Sequence, residues 1–123
     1  MRRAIHPVDS TYALAHEVSQ PGRLLFVSGQ VPEADDGSVP AGFAAQCRLA
    51  FANVEAQLKA ADMTFDHLAK LTVFLSDRKY RDEARRVRHE MLGHLKVPPA
   101  LTVVITGIYD EAWLLEIEAI AIA

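Results

Sequence analysis

Two hydrophobic periods alternate along this chain, and each change of period marks an element. Over residues 42–61 the apolar positions are Phe43, Cys47, Ala50, Phe51, Val54, Leu58 and Ala61. Gaps of three and four residues place them on one helical face, and the span is rich in alanine. A second helix is expected over residues 78–95, with Tyr80, Ala84, Val87, Met91 and Leu95 as its apolar positions and Asp77 as N-cap. Pro98-Pro99 stops any helix there. Strands are expected at residues 12–18, 24–30, 68–75, 100–107 and 113–123, with a short first strand at residues 3–5 ended by His6-Pro7. Pro21-Gly22 stands at the centre of residues 19–23 in the order of a type II turn, which predicts a hairpin between the second and third strands. Residues 31–41 hold Pro32, Asp35-Asp36-Gly37 and Pro40 and read as a loop.

The order is therefore a strand, a β-hairpin, a helix, a strand, a helix and two strands. Each helix lies between strands, which predicts crossover units and an α/β (α+β) fold: a mixed sheet with two helices on one face. The closing strand, W-L-L-E-I-E-A-I-A-I-A, sharpens this. Side chains alternate along a strand, so Glu116 and Glu118 share a face between Leu114 and Ile120, while Leu115, Ile117, Ala119 and Ala121 face the helices. Carboxylates so near apolar surface require a hydrogen-bond donor, a cation or a water-filled cleft. An open sheet edge or a partner's cation satisfies them equally well. Both faces of this strand are apolar, yet two helices cover only one. A partner copy is expected on the other.

At 123 residues the chain has room for a single domain, residues 1–123, and with 50% hydrophobic residues it can bury a sizeable core. A net charge of −3 and a pI near 5.9 argue against a general nucleic-acid binder. No hydrophobic run approaches membrane-spanning length, so no membrane partner is expected. Met1-Arg2-Arg3 is basic, but no apolar signal core follows before His6-Pro7, so export is not expected. Cys47 is the only cysteine, which excludes an internal disulfide and fits a reducing cytoplasm.

The candidate chemistry is sparse. His89 and His94 lie five residues apart, a spacing that splits them across helix faces, so no metal site is expected and solvent-facing histidines are the simpler reading. Arg78, Lys79, Arg81, Arg85, Arg86 and Arg88 make the second helix strongly basic. The plain account is a solvated face partly paired with Asp82, Glu83 and Glu90. The sharper alternatives are an anion pocket between subunits and an RNA patch, the latter lacking interleaved aromatics. Cys47, on the apolar side of its helix, reads as inert core. Neither a glycine-rich phosphate loop nor a G-x-S-x-G elbow is present.

Two segments, Phe26-Val27-Ser28-Gly29-Gln30-Val31-Pro32 and Glu116-Ile117-Glu118-Ala119-Ile120-Ala121, closely resemble signature stretches of the Rid family (reactive intermediate deaminases, RidA/YjgF). Ala45-Gln46, Asn53-Val54, Leu58 and Lys70-Leu71-Thr72-Val73-Phe74-Leu75-Ser76-Asp77 fall in the same register, so the resemblance covers nearly the whole chain. It implies a chorismate-mutase-like fold, a homotrimer with clefts between subunits, and cofactor-independent hydrolysis of small enamines or imines to ketoacids and ammonia. It assigns Glu116 the role of the glutamate that directs the attacking water, a general base. Tyr12, Ser28 and Gly29 match cleft-lining positions. The family's carboxylate-gripping arginine follows a Pro-Ala pair, and here Pro99-Ala100 is followed by Leu101; the position two residues on, often cysteine, is Val103; an asparagine of the second helix becomes Arg85.

Leucine offers neither charge nor hydrogen bond to a desolvated carboxylate, a loss of about 1.5–3 kcal/mol or at least tenfold in recognition. The expectation is a Rid-like hydrolase with a more apolar cleft and an altered substrate preference, suited to a substrate without the carboxylate. Arg85 is a candidate replacement cation. Two alternatives stay open: a non-catalytic small-ligand binder on the same scaffold, and a ribonuclease or translation inhibitor, against which the charge balance argues.

Overall fold

An Asx turn builds the first corner of the fold. The Asp9 carboxylate accepts hydrogen bonds from the Thr11 backbone N–H (2.7 Å), the Thr11 hydroxyl (2.6 Å) and the Tyr12 N–H (3.3 Å). It reverses the chain between β1 (Arg2–Asp9) and β2 (Tyr12–Val18), which pair antiparallel. The first strand is thus longer than His6-Pro7 suggested. Pro7 is tolerated because β1 is an edge strand, and the register slips between Pro7 and Asp9. The computed structural model describes all of residues 1–123.

The hairpin expected between the second and third strands does not form. Strand β3 (Leu24–Gln30) lies at the opposite edge of the sheet, in the order β1-β2-β5-β4-β6-β3. Gly22 and Arg23 instead donate their N–H groups to the Ala123 carbonyl at 3.0 Å, so the segment hands the chain to β6 rather than turning it back. The left-handed backbone here belongs to Gln20 (φ 54°) and not to Gly22.

The rest follows the hydrophobic periods closely. Helix α1 (Phe43–Ala60) connects β3 to β4 (Leu68–Leu75), and α2 (Arg81–Leu92) connects β4 to β5 (Ala100–Ile105). Strand β6 (Leu115–Ile122) inserts antiparallel between β3 and β4, while β5 is parallel to both β2 and β4. The sheet is therefore mixed and both helices lie on one face of it. Asp77 does cap a turn, accepting from the Lys79 N–H at 2.9 Å. That turn is a single 3-10 turn, and the α-helix proper begins at Arg81 and ends at Leu92, with Gly93 as its C-cap.

The core lies between helices and sheet. Phe51, Val54 and Leu58 of α1 and Val87 and Leu92 of α2 meet Leu71 and Leu75 of β4 and Leu115 and Ile117 of β6, all 2% exposed or less. Each such side chain contributes about 1.5–3 kcal/mol. Phe43 and Tyr80 stack at 4.6 Å between ring centroids, joining the start of α1 to the turn before α2. Buried Gln46 donates to the Pro40 and Ala112 carbonyls and accepts from the Leu114 N–H, so its amide is used at both ends. No helix is long and apolar enough to cross a membrane.

Candidate active site

The candidate residues fall into two groups on opposite faces of the sheet. On the face away from the helices, Glu116 of β6 lies beside Gly29 of β3, where the β3–β6 register slips between Val27 and Gln30. A methyl group on residue 29 would overlap the Glu116 carboxylate. Only glycine lets the backbone of β3 approach the acid this closely. Glu116 and Glu118 line a shallow cavity of about 250 Å³ with Phe74, Thr106, Gly107 and Tyr109, the last 96% exposed. Ser28 is exposed next to Gly29, its carbonyl accepting from Gln30 Nε2 at 3.0 Å. The two glutamates differ: Glu116 is half-buried opposite Phe74, and Glu118 is exposed opposite Thr72.

On the helix face, a second cavity of about 430 Å³ opens between α2, α1 and the β4–β5 pair. Its floor is apolar, formed by Cys47, Phe51, Val73, Leu75, Val103 and Ile105. Its α2 wall carries Arg81, Asp82, Arg85 and Arg88, three cations against one anion. Val103 and Arg85 therefore share one cavity. Leu101, on the same face of β5 as Val103, pairs with Leu71 and is half-buried against the core. It brings β5 no donor.

The basic helix is not merely a solvated face. Arg88 is buried, only 8% exposed, and its Nε donates to the Thr11 hydroxyl at 2.9 Å. Its guanidinium carbon sits 5.3 Å from the centroid of the Tyr12 ring, so Tyr12 neighbours Arg88 without itself lining the cavity. Burial lowers the Arg88 pKa from its ordinary value, and the charge of Asp9 works against that shift. Burial also opposes the charge of Asp9. The hydrogen bonds from the Thr11 side chain and backbone, with His89 and Arg88 nearby, outweigh it and hold that carboxyl below its ordinary pKa. Glu90 pairs with Arg48 of α1 (2.6 Å) and not with a neighbour on its own helix.

His89 departs from the solvent-facing expectation. It is half-buried, with Nε2 3.2 Å from Asp9 Oδ2, whereas His94 is exposed. Cys47 is 1% exposed, and burial pushes its thiol up to about 12, so the neutral form persists at physiological pH.

Three residues of this second group, Asp9, Thr11 and Arg88, stand outside the family-like positions. A signal for Arg88 exists in the sequence: position 88 falls four after Ala84 and three before Met91, on the apolar stripe of α2. Nothing comparable marks Thr11.

The family model described as Endoribonuclease L-PSP matches residues 5–123. The RutC family protein YjgH of Escherichia coli is 37% identical over 111 residues, 85% of this chain and 84% of that protein. The 2-iminobutanoate/2-iminopropanoate deaminase of Escherichia coli is 40% identical over 57 residues, 46% of this chain and 44% of that protein. The crystal structure of Escherichia coli TdcF with bound serine superposes with a TM-score of 0.77 at 29% identity, covering 98% of this chain and 94% of that one. With a matching model over nearly its full length and the same fold, this chain belongs to the Rid (RidA/YjgF) family.

Proposed function

We propose that this protein hydrolyses a small enamine or imine without a cofactor, with Glu116 directing the attacking water. The observation that carries this reading is the Glu116 carboxylate packed over Gly29 at the edge of a cavity. Glu116 takes a proton from water as the oxygen bonds to the imine carbon, and the C=N electron pair moves to nitrogen, which is protonated. Collapse of the resulting carbinolamine releases ammonia and leaves the carbonyl product; an enamine first accepts a proton at carbon. A positioned general base typically contributes about 100-fold to 10,000-fold in rate.

The cleft is completed between copies. Within one copy, Gly29 and Glu116 lie on one face of the sheet, whereas Arg85 and Val103 lie on the other. One ligand meets both sets only where two copies adjoin, as in a homotrimer. The exposed Phe26 (71%) and Leu24 (54%) on the uncovered face support this packing. Leu101 shifts substrate preference, because nothing at that position grips an anion.

The test is ammonia release from imines generated in situ, with Glu116→Gln alongside. The expected result is a fall of about 100-fold or more in kcat/KM. Equal rates in the variant and the parent would overturn the assignment. Leu101 also favours a second reading, a ligand-binding protein without turnover. That reading gains support if every imine tested stays at background while ligand still binds.

A further inference from the structure

Arg88 is a buried cation with most of its donors unused. A guanidinium carries five N–H donors, and only Nε is bonded, to Thr11. Its terminal amino groups make no hydrogen bond within the chain, and no carboxylate forms an ion pair with it within 4.0 Å. Asp9 is the nearby acid, but its Oδ1 is committed to Thr11 and Tyr12, and its Oδ2 faces His89. A charge withdrawn from water requires a partner or hydrogen bonds to offset the cost. Arg88 is one of the residues lining the cavity of about 430 Å³.

The surroundings fix the guanidinium's direction. The Thr11 hydroxyl, fully buried, donates to Asp9 Oδ1 at 2.6 Å and accepts from Arg88 Nε at 2.9 Å. The Asp9 charge thus reaches Arg88 through an oriented hydroxyl without neutralising it by direct contact. The guanidinium carbon lies over the Tyr12 ring, 5.3 Å from its centroid. What remains is a planar fork of paired donors above an apolar floor, the arrangement that recognises a carboxylate bidentately.

We propose that Arg88 is the anion-gripping residue of this cavity, binding the carboxylate of a small amphipathic acid whose apolar body lies on Phe51, Val73 and Val103. The grip absent from β5 at Leu101 is supplied from α2. Arg81 and Arg85 at the wall raise the local positive potential, and Asp82 partly offsets it. Thr11 is a positioning residue. The inference rests on the proposed hydrolase and assigns the residue that holds an anionic group of its ligand, and the grip can be measured without turnover.

Calorimetric titration with phenylacetate, its neutral isostere phenylacetamide, and inorganic phosphate tests it on the full-length chain. Phenylacetate is expected to bind at least tenfold tighter than the amide, because charged hydrogen bonds contribute about 1.5–3 kcal/mol. Phosphate, with no apolar body, binds more weakly than phenylacetate. Arg88→Gln should weaken phenylacetate at least tenfold and leave phenylacetamide unchanged. Thr11→Val should weaken it several-fold and Thr11→Ser restore it at an unchanged melting temperature, which a purely structural role for Thr11 does not predict. If Arg88→Gln fails to fold by circular dichroism, Arg88→Lys and the Thr11 pair carry the comparison. The proposal is overturned by no saturable phenylacetate binding to the parent, by equal binding of acid and amide, or by full binding in the Arg88 variants. Glu116→Gln separates the two claims: it should lower turnover about 100-fold, while phenylacetate binding to that variant still depends on Arg88. Arg88-dependent binding without any imine hydrolysis would sink the hydrolase and spare the grip, and the converse would sink the grip alone.

Discussion

Gly29 and Glu116 illustrate how one missing side chain positions another. In Gly29→Ala the new methyl falls on the carboxylate, and the flexible end of Glu116 can swing away where the backbone need not. The expected outcome is a loss of kcat approaching that of Glu116→Gln, with a melting temperature lowered by only a few degrees, since a shifted surface carboxylate costs about 1 kcal/mol or less. Steady-state rates and thermal melts on the two single variants and the double variant check this; independent, multiplying losses in the double variant would show that Gly29 acts elsewhere. The place of Glu116 on the open face was legible in the sequence, because strand alternation sets it opposite in direction to buried Leu115 and Ile117. Arg88 was only half legible. Its place on the stripe of Ala84, Val87 and Met91 argued for burial, while its charge argued for solvent, and the direction of a long side chain is not written in spacing.

At the scale of elements, the strands and helices were legible wherever one period ran long. Strand β4 occupies residues 68–75 as expected, and α1 lies within one residue of its expected bounds at either end. Pairing was not legible for β2 and β3, because Pro21-Gly22 reports only the local bend, and the partner of each strand is chosen by sheet-wide burial. Strand β2 carries a pH dependence of its own. His16 Nδ1 lies 2.8 Å from the Pro98 carbonyl, while its Nε2 is buried without a partner. Burial pushes the His16 pKa down; the Pro98 carbonyl opposes this and the charge of Arg2 reinforces it. The folded state therefore refuses a proton that the unfolded chain accepts at about pH 6.5. Above that pH neither state is protonated and the contribution is complete; as pH falls below it the unfolded chain binds the proton first and stability declines. Urea midpoints at about pH 7.5 and about pH 5.5 should fall further for the parent than for His16→Gln, and equal falls would remove His16 as the cause.

At the scale of the molecule, one sheet face is closed by two helices and the other carries apolar side chains with nothing over them. Phe26 pairs with Ile120 and Leu24 with Ile122, so these four project together from the β3–β6 edge of the open face. Phe26 alone is 71% exposed, and burying a phenylalanine is worth about 1.5–3 kcal/mol. In a symmetric assembly that gain recurs at every interface, so one substitution acts once per copy. Phe26→Asp places an unpaired charge where an apolar contact is expected, which is more disruptive than removal of the ring. The expected outcome in sedimentation equilibrium at micromolar concentration is a shift from three times the 13.6 kDa chain mass to the monomer, with far-ultraviolet circular dichroism unchanged because the residue is outside the core. Imine hydrolysis should fall with the trimer, since Glu116 and the α2 cavity then belong to separate molecules. A monomeric parent, or a monomeric variant with full turnover, would place the whole reaction within one copy and remove the shared cleft.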